Sequence, residues 1–232
     1  MKEPSMGEIP QPSTLIIFVG RFGSGKSEVA INYALSLVRG RNTVGLIDLD
    51  IVTPYFRTRE MAEAVQDRGV EVIAPSVLGQ HLDIPAIGPQ ILGAIQQSDK
   101  PTVLDVGGDR QGARALGQFS PAIQQRGYTM HFVVNPYRPF TDTSRGLARS
   151  IAEIEATSRL KVTSLVSNPN LIGETTVQRI IDGHARIEAL AREVGLPITF
   201  VCVERRWAGE FGSNHLAQPL LALDRYFVMS WE

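Results

Sequence analysis

The residues best suited to chemistry form a glycine-rich segment, Gly20-Arg-Phe-Gly-Ser-Gly-Lys-Ser27, which fits the pattern GxxxxGKS/T. Glycines let a backbone wrap closely around phosphate and turn its N–H groups inward. Lys26 can reach the β- and γ-phosphates of a nucleotide, the Ser27 hydroxyl can ligate Mg²⁺, and the sequence shows no structural partner for Lys26. The segment predicts a phosphate-binding loop whose contacts are Gly20, Arg21, Phe22, Gly23, Ser24, Gly25, Lys26 and Ser27.

Acidic residues stand at the ends of two further apolar segments. Asp105 begins Asp-Val-Gly-Gly108, where a carboxylate can support Mg²⁺ and the Gly108 amide can sense a γ-phosphate. Asp48 and Asp50 end an earlier segment, and residues two apart in a strand point to the same side. Either could approach the metal or an attacking water. The competing interpretation is that Asp105 and Asp50 only cap the ends of their strands.

These positions lie within a regular alternation of apolar strands and amphipathic helices. Near-continuous Val/Ile/Leu strands alternating with helices predict a doubly wound, mostly parallel α/β sheet of about seven strands with helices on both faces. The predicted helices run from the glycine loop to Val38, from Thr53-Pro54, and over Ile87–Gln97, Ala113–Gln125, Asp142–Ala156 and Glu174–Val194. The predicted strands are Leu15–Val19, Val44–Leu49, Val70–Ala74, Thr102–Val106, Met130–Asn135, Val162–Ser167 and Ile198–Val203.

The composition narrows the range of functions. We expect a flexible arm over residues 1–13 and a single domain over 14–232. The net charge of -1 lacks the positive excess that is typical of proteins that bind nucleic acid, so we expect no nucleic-acid partner. The lone Cys202, in an apolar segment, excludes an intramolecular disulfide or a CxxC site within one chain and predicts a buried thiol. No apolar run is long enough for a membrane anchor, so we expect a cytoplasmic protein.

The order of these motifs resembles the MinD/ParA/CobQ-like ATPases, the SIMIBI-class P-loop proteins with a deviant Walker A loop. That family has a loop of the form KGGxGKS/T, a second strand that ends in an acidic DxD-like switch, and a later strand that ends in DxxG. Here the corresponding segments are the glycine loop, Asp48-Leu-Asp50 and Asp105-Val-Gly-Gly108. The resemblance covers roughly residues 14 to 204.

The resemblance implies ATP and Mg²⁺ as cofactors and gives further residues a function. It implies that Lys26 and Ser27 bind phosphate and metal, that Asp50 orients the attacking water near the metal, and that Asp105 supports the metal. Asn168 corresponds to the family's adenine-reading asparagine, and the guanine-reading NKxD pattern is absent because Pro169-Asn-Leu follows it. Arg21 replaces the signature lysine that reaches across a dimer, and a guanidinium can still bind phosphate there.

Three functions fit these motifs. The first is a switch ATPase that forms a homodimer when ATP is bound and acts on an unknown protein partner; the missing CxxC argues against a bridging Fe–S cluster. The second is an ATP-dependent ligase or kinase of the CobQ/dethiobiotin-synthetase kind, with a carboxylate bound near Pro75–Pro89. The third is a nucleotide-binding regulator without turnover. Two segments, Pro54-Tyr-Phe-Arg57 and Asn135-Pro-Tyr-Arg-Pro-Phe140, indicate a distinct branch of the family.

Overall fold

Eight parallel strands form one sheet in the computed structural model, which describes residues 13–38, 43–50, 59–73, 89–211 and 216–227. The predicted doubly wound sheet is confirmed, and all seven predicted strands are present within two residues of their expected ends. An eighth strand, the segment between Pro219 and Asp224, was not predicted, because only a four-residue helix lies between it and the seventh strand in the described part of the chain and the strand–helix alternation is lost there. The strands are β1 Leu15–Val19, β2 Val44–Leu49, β3 Val70–Ile73, β4 Thr102–Val106, β5 Thr129–Val134, β6 Ser164–Ser167, β7 Ile198–Glu204 and β8 Leu220–Leu223.

The helices follow the predicted alternation with one clear difference. The single helix expected over Ala113–Gln125 is two helices that meet at Phe119, because Pro121 lacks an N–H and its ring would clash with the Gly117 carbonyl. The helix start expected at Thr53-Pro54 and the expected arm lie outside the described residues, apart from Ser13. The helices are α1 Lys26–Val38, α2 Arg59–Gln66, α3 Pro89–Gln96, α4 Arg110–Gln118, α5 Ser120–Arg126, α6 Ser144–Ser158, α7 Val177–Val194 and α8 Arg205–Ala208, with a 3₁₀ turn at Ile172–Glu174.

Side chains on successive residues of each strand enter two separate cores. In β1, Ile17 packs in the core that α3 to α7 cover, and Phe18 packs in the core under α1 and α2. This alternation places Asp48 of β2 and Asp105 of β4 on the α1 face, directly opposite each other in the register of the two strands. Cys202 is buried in β7 as expected. Within the described part of the chain, no helix is both long and apolar enough to cross a membrane.

The sheet order, β3-β2-β4-β1-β5-β6-β7-β8, reverses its direction of growth at β1. The strand β4 lies on one side of β1 and β5 lies on the other. The chain leaves β1 for α1 on one face of the sheet and leaves the neighbouring β4 for α4 on the other face. Connections that separate in this way open a crevice at the carboxyl edge of the sheet. The glycine loop leaves β1 at this crevice, between the ends of β4 and β5.

The opposite edge of the sheet is held together by Arg126, the last residue of α5. One guanidinium nitrogen donates to the carbonyls of Ala94 and Ile95, both at 3.0 Å, in the last turn of α3. The other donates to the carbonyls of Thr14 and Lys100, which precede β1 and β4. Carbonyls at a helix end have no partner within the helix, so this arginine satisfies groups that would otherwise lose hydrogen bonds on burial.

We expect Arg126→Ala to lower the free energy of unfolding by about 2 kcal/mol, because it leaves half-buried carbonyls without donors. Urea unfolding followed by circular dichroism measures the change, with Arg114→Ala, an exposed arginine of α4, as the matched control. An Arg126→Ala protein as stable as the control would show that these hydrogen bonds contribute nothing net.

Candidate functional site

The glycine loop makes a tight turn between the end of β1 and the start of α1. Gly23 and Gly25 have φ angles of 77° and 83°, a region that residues with a side chain rarely adopt. The Ser24 N–H donates to the Arg21 carbonyl at 3.0 Å and closes the turn. A Cβ on Gly25 would lie 2.3 Å from the amide nitrogen of Asn168, so only glycine fits there. The local sequence therefore places the N-terminus of α1, with its outward N–H groups, against the crevice.

The side chain of Lys26 lies at the centre of the site. Its ammonium is 3.3 Å from a carboxylate oxygen of Asp50, and the two side chains are only 5% and 3% exposed. Asp50 is held in turn, since its N–H donates to the Asp48 carboxylate at 2.9 Å. The expectation that Lys26 has no structural partner is therefore wrong: without a phosphate, Asp50 neutralises it. Two residues separated by 24 positions meet because β2 and the loop end at the same edge.

Asp105 is fully buried beside this ion pair. Burial raises its pKa from the ordinary value of 3.8 to about 6, against the lowering effects of the Lys26 ammonium and the Ser27 hydroxyl; Asp50 adds a further rise. The Ser27 hydroxyl is close enough to affect this pKa, but no hydrogen bond of acceptable geometry joins the two groups. Among the described residues, the Ser27 hydroxyl and both Asp105 carboxylate oxygens have no hydrogen-bond partner.

These unpartnered oxygens fit a magnesium ion. Mg²⁺ binds oxygen ligands, and it is usually held by one or two protein groups together with waters and substrate phosphates. A hydroxyl from Ser27 at the helix start and a carboxylate from Asp105 are such groups, buried next to the glycine loop. Buried polar atoms are costly without partners, so a ligand that satisfies them is stabilising.

The end of the Asp105-Val-Gly-Gly108 segment contacts the first residues of the loop directly. A Cβ on Gly108 would lie 2.6 Å from the Gly20 carbonyl and 2.8 Å from the Phe22 nitrogen. Because these backbones are in contact, a shift of Gly20 or Phe22 would displace the backbone that follows β4. The structure thus brings together Lys26, Ser27, Asp50, Asp105 and Gly108, which the sequence assigned to one site.

Asn168 braces the loop from the other side. Its amide nitrogen donates to the Ser24 carbonyl at 2.7 Å, which fixes the side chain in one orientation. Its amide oxygen is buried and has no hydrogen-bond partner among the described residues. Asn168 is therefore part of the loop's support, and its oxygen is the atom left to receive a ligand.

Arg21 and Phe22 point away from the centre of the site. The Arg21 guanidinium donates to the Ser150 hydroxyl at 2.9 Å and pairs with Glu153 at 2.6 Å, so α6 of its own chain holds it. It also lies over the Phe140 ring, 5.6 Å from the centroid. Phe22 is 72% exposed. Both residues lie on the outer rim of the loop.

The far wall of the cavity that runs along the loop was not predicted from the sequence. There Glu28, the residue after Ser27, accepts hydrogen bonds from the N–H groups of Tyr226 and Phe227 at 2.9 and 2.8 Å. Burial raises the pKa of Glu28 to about 7. No local pattern predicts this contact, because the partners are 198 and 199 residues apart. The cavity is also lined by Asn135, Arg138, Asn170, Ile172, Glu204, Leu223, Asp224 and Arg225.

No protein-family model and no curated protein matches this sequence. Solved structures do match it. The cell division protein FtsY of Thermotoga maritima is 19% identical, with 86% of this chain and 65% of that chain covered and a TM-score of 0.53. The signal recognition particle receptor FtsY of Elizabethkingia anophelis, in complex with GDP, is 14% identical over 86% and 60% of the two chains, with a TM-score of 0.51.

The signal recognition particle 54 kDa protein of Aeropyrum pernix, in complex with GDP, is 19% identical over 86% of this chain and 43% of that chain, with a TM-score of 0.50. This chain therefore spans less than two thirds of each of these three structures. At such low identity the similarity shows the fold alone. The chain has the α/β fold of the P-loop NTPases.

We expect Asp105→Asn to stabilise the protein without nucleotide or Mg²⁺ at pH 8 by about 2 kcal/mol. A carboxyl whose pKa rises on folding destabilises the fold when it ionises. That cost is absent below pH 3.8, grows as the pH rises towards about 6, and is complete above it. Urea unfolding of both proteins at pH 8 and near pH 3.8 measures the difference.

The stabilisation should shrink at the lower pH, where the carboxyl is protonated in the folded chain and about half protonated in the unfolded chain, so that little of the ionisation cost is left. Asp67→Asn, at an exposed position of the same residue type, is the matched control. An Asp105→Asn protein less stable than the parent at pH 8 would contradict this account of the buried carboxylate.

Proposed function

We propose that this chain binds a nucleoside triphosphate with Mg²⁺ at the loop from Gly20 to Ser27, hydrolyses its terminal phosphoanhydride, and acts as a nucleotide-dependent switch. The observation that carries the proposal is the buried Lys26–Asp50 ion pair beside the unpartnered oxygens of Ser27 and Asp105. A phosphate group satisfies the lysine, and Mg²⁺ satisfies the oxygens. The fold and the GxxxxGKS/T sequence support the same conclusion.

Binding is explained by charge. The N–H groups of the loop and the N-terminus of α1 offer partial positive charge, and Lys26 adds a full charge in a buried place. When a triphosphate enters, Lys26 exchanges the Asp50 carboxylate for phosphate oxygens. The exchange ends the ion pair between Lys26 and Asp50 and leaves the Asp50 carboxylate at the edge of the crevice.

That released carboxylate is the proposed catalytic group. Asp50 would accept a hydrogen bond from a water in line with the γ-phosphate, an interaction that gains strength mainly in the transition state. Ser27 and Asp105, with Asp50 close by, would hold Mg²⁺, which would supply charge neutralisation to the phosphate oxygens when bound. Asp48 holds the Asp50 backbone, which keeps that carboxylate near the loop.

The nucleotide we favour is ATP. The free acceptor on Asn168 suits the 6-amino group of adenine, whereas guanine presents an oxygen at that position. The missing NKxD pattern and the resemblance to the MinD/ParA/CobQ-like ATPases agree with this choice. Two of the matched structures are complexes with GDP, so measurement of both bases is part of the test.

A switch needs the nucleotide state to reach a surface, and the geometry offers a route. Gly108 packs on Gly20 and Phe22, so a γ-phosphate that contacts the Gly108 amide also moves the exposed rim that carries Arg21 and Phe22. We propose that this rim forms a homodimer in the cytoplasm when ATP is bound and that an unknown protein partner reads the state. The segment Pro75–Pro89, on which the ligase or kinase alternative rests, lies outside the described residues except for Pro89.

Lys26 tests nucleotide binding. Removal of Lys26 alone would take a cationic partner from the buried Asp50 carboxylate and could destabilise the fold, so the decisive protein is the double variant Lys26→Met/Asp50→Asn. We expect its ATP affinity to fall at least ~100-fold, since a charged hydrogen-bonding group in a buried site is lost. Isothermal titration gives the affinity, and Asp50→Asn is the matched control. Equal ATP binding by the double variant and the control would reject the proposed site.

Asp50 tests turnover and the switch. Asp50→Asn should lower single-turnover ATP hydrolysis by ~100-fold or more while ATP binds at least as tightly as before, because Lys26 no longer pairs with a carboxylate. Sedimentation of this trapped protein with Mg²⁺ and ATP should show a dimer, and without ATP a monomer. Normal hydrolysis with a lowered melting temperature would instead identify Asp50 as a cap of its loop.

A further inference from the structure

The segment Asn135-Pro-Tyr-Arg-Pro-Phe140 after β5 forms a rigid turn beside the phosphate loop. The Asn135 amide nitrogen donates to the Asn170 carbonyl at 2.7 Å, and its amide oxygen accepts from the Tyr137 N–H at 3.1 Å. The Thr141 hydroxyl donates to the Asn135 carbonyl at 3.0 Å. Side chains at both ends therefore fix the backbone between Asn135 and Thr141.

Phe140 shows that this conformation is imposed on the segment. Its φ angle is 72°, a left-handed conformation that is uncommon for a bulky residue, yet its side chain is 67% exposed. A Cβ on Gly146 would lie 2.6 Å from the Phe140 carbonyl, so a glycine in α6 makes room for the turn. Unfavourable backbone angles of this kind persist where the surroundings over-determine them, and such places are often functional.

The turn presents the guanidinium of Arg138 to the phosphate loop. A Cβ on Gly23 would lie 3.3 Å from the Arg138 Nε, so the side chain rests on the outer bend of the loop. The Nε is buried and has no hydrogen-bond partner in the part of the chain that the structure describes. Among the described residues, no hydrogen bond or ion pair engages any nitrogen of this guanidinium. Two other cations near the loop differ in this respect: Lys26 pairs with Asp50, and Arg21 pairs with Glu153.

We propose that Arg138 binds the terminal phosphate of the nucleotide from within the same chain, an inference that rests on the proposed function. A planar guanidinium with five N–H donors suits a phosphate, and a partly buried cation with no counter-ion is stabilised when an anion arrives. The triphosphate supplies that anion. Arg138 is thus a phosphate-binding residue that the GxxxxGKS/T motif does not contain.

The position of Arg138 selects the outermost phosphate. Arg138 lines two adjoining spaces: the cavity along the loop that also contains Asn168 and Leu223, and an open groove that also contains Gly108 and Phe22. A base held near Asn168 places the phosphates along the loop towards the groove. On this inference the last phosphate would reach the junction of the two spaces, which Arg138 lines and near which Gly108 lies. A diphosphate is one phosphate shorter and would end before that junction.

The test compares ATP with ADP. We expect Arg138→Ala to weaken the binding of a non-hydrolysable ATP analogue roughly 10- to 100-fold, since one charged hydrogen-bonding contact is lost. ADP affinity should change less than about threefold, because ADP lacks the phosphate that Arg138 contacts. Arg138→Lys should recover part of the ATP affinity, since it restores the charge without the planar fork. Isothermal titration with Mg²⁺ gives the affinity of the parent protein and of each variant for both nucleotides.

The controls separate this inference from the proposed function. Arg145→Ala, at an exposed position on α6, should bind both nucleotides like the parent protein. If Arg138→Ala does not fold, Arg138→Gln keeps the side-chain stem and carries the same comparison. An unchanged ATP affinity, or an equal loss for ATP and ADP, overturns the assignment of Arg138. A parent protein that binds neither nucleotide overturns the proposed function itself.

Discussion

The buried ion pair between Lys26 and Asp50 is the interaction on which the rest of the site depends. Two charges removed from water are costly to keep, and their mutual attraction offsets part of that cost. The pair therefore creates a site that is stable without ligand and still able to exchange one anion for another. The unpartnered Ser27 hydroxyl and Asp105 carboxylate beside it extend the same principle to a cation. A bound phosphate would give the Lys26 ammonium a new anionic partner, and a bound cation would give the Ser27 and Asp105 oxygens a partner.

The strand order makes this arrangement possible. Because β4 inserts between β1 and β2, the loop after β1, Asp50 after β2 and Asp105 in β4 meet at one edge. Period-two alternation then places Asp48 and Asp105 on the face that α1 covers. The close packing of Gly108 on the start of the loop follows from the same neighbourhood of β1 and β4. The order of β2, β4 and β1 therefore accounts both for the grouping of the acidic residues and for the contact between Gly108 and the loop.

The sequence predicts whatever depends on local pattern. Seven strands, the glycine loop and the acidic strand ends follow from hydrophobic periodicity and motif spacing, and the helix break before Pro121 could have been read from its missing N–H. Contacts between distant segments have no such signal. The Lys26–Asp50 pair, the Glu28 contacts with residues 226 and 227, and the placement of Arg138 on Gly23 arise only when the sheet assembles. The strand β8 gave no signal because the helix that precedes it, α8, has only four residues, so the alternation of strands and helices that predicts the other strands is lost there.

The most direct measurement is a crystal structure of this chain with Mg²⁺ and a non-hydrolysable ATP analogue. The account predicts that the Lys26 ammonium leaves the Asp50 carboxylate, now 3.3 Å away, for phosphate oxygens. It also predicts that the Ser27 hydroxyl lies about 2.1 Å from the metal, the usual Mg²⁺–oxygen distance. An analogue bound elsewhere, or bound in the loop with the Lys26–Asp50 pair intact and no metal at Ser27, would contradict the central claim.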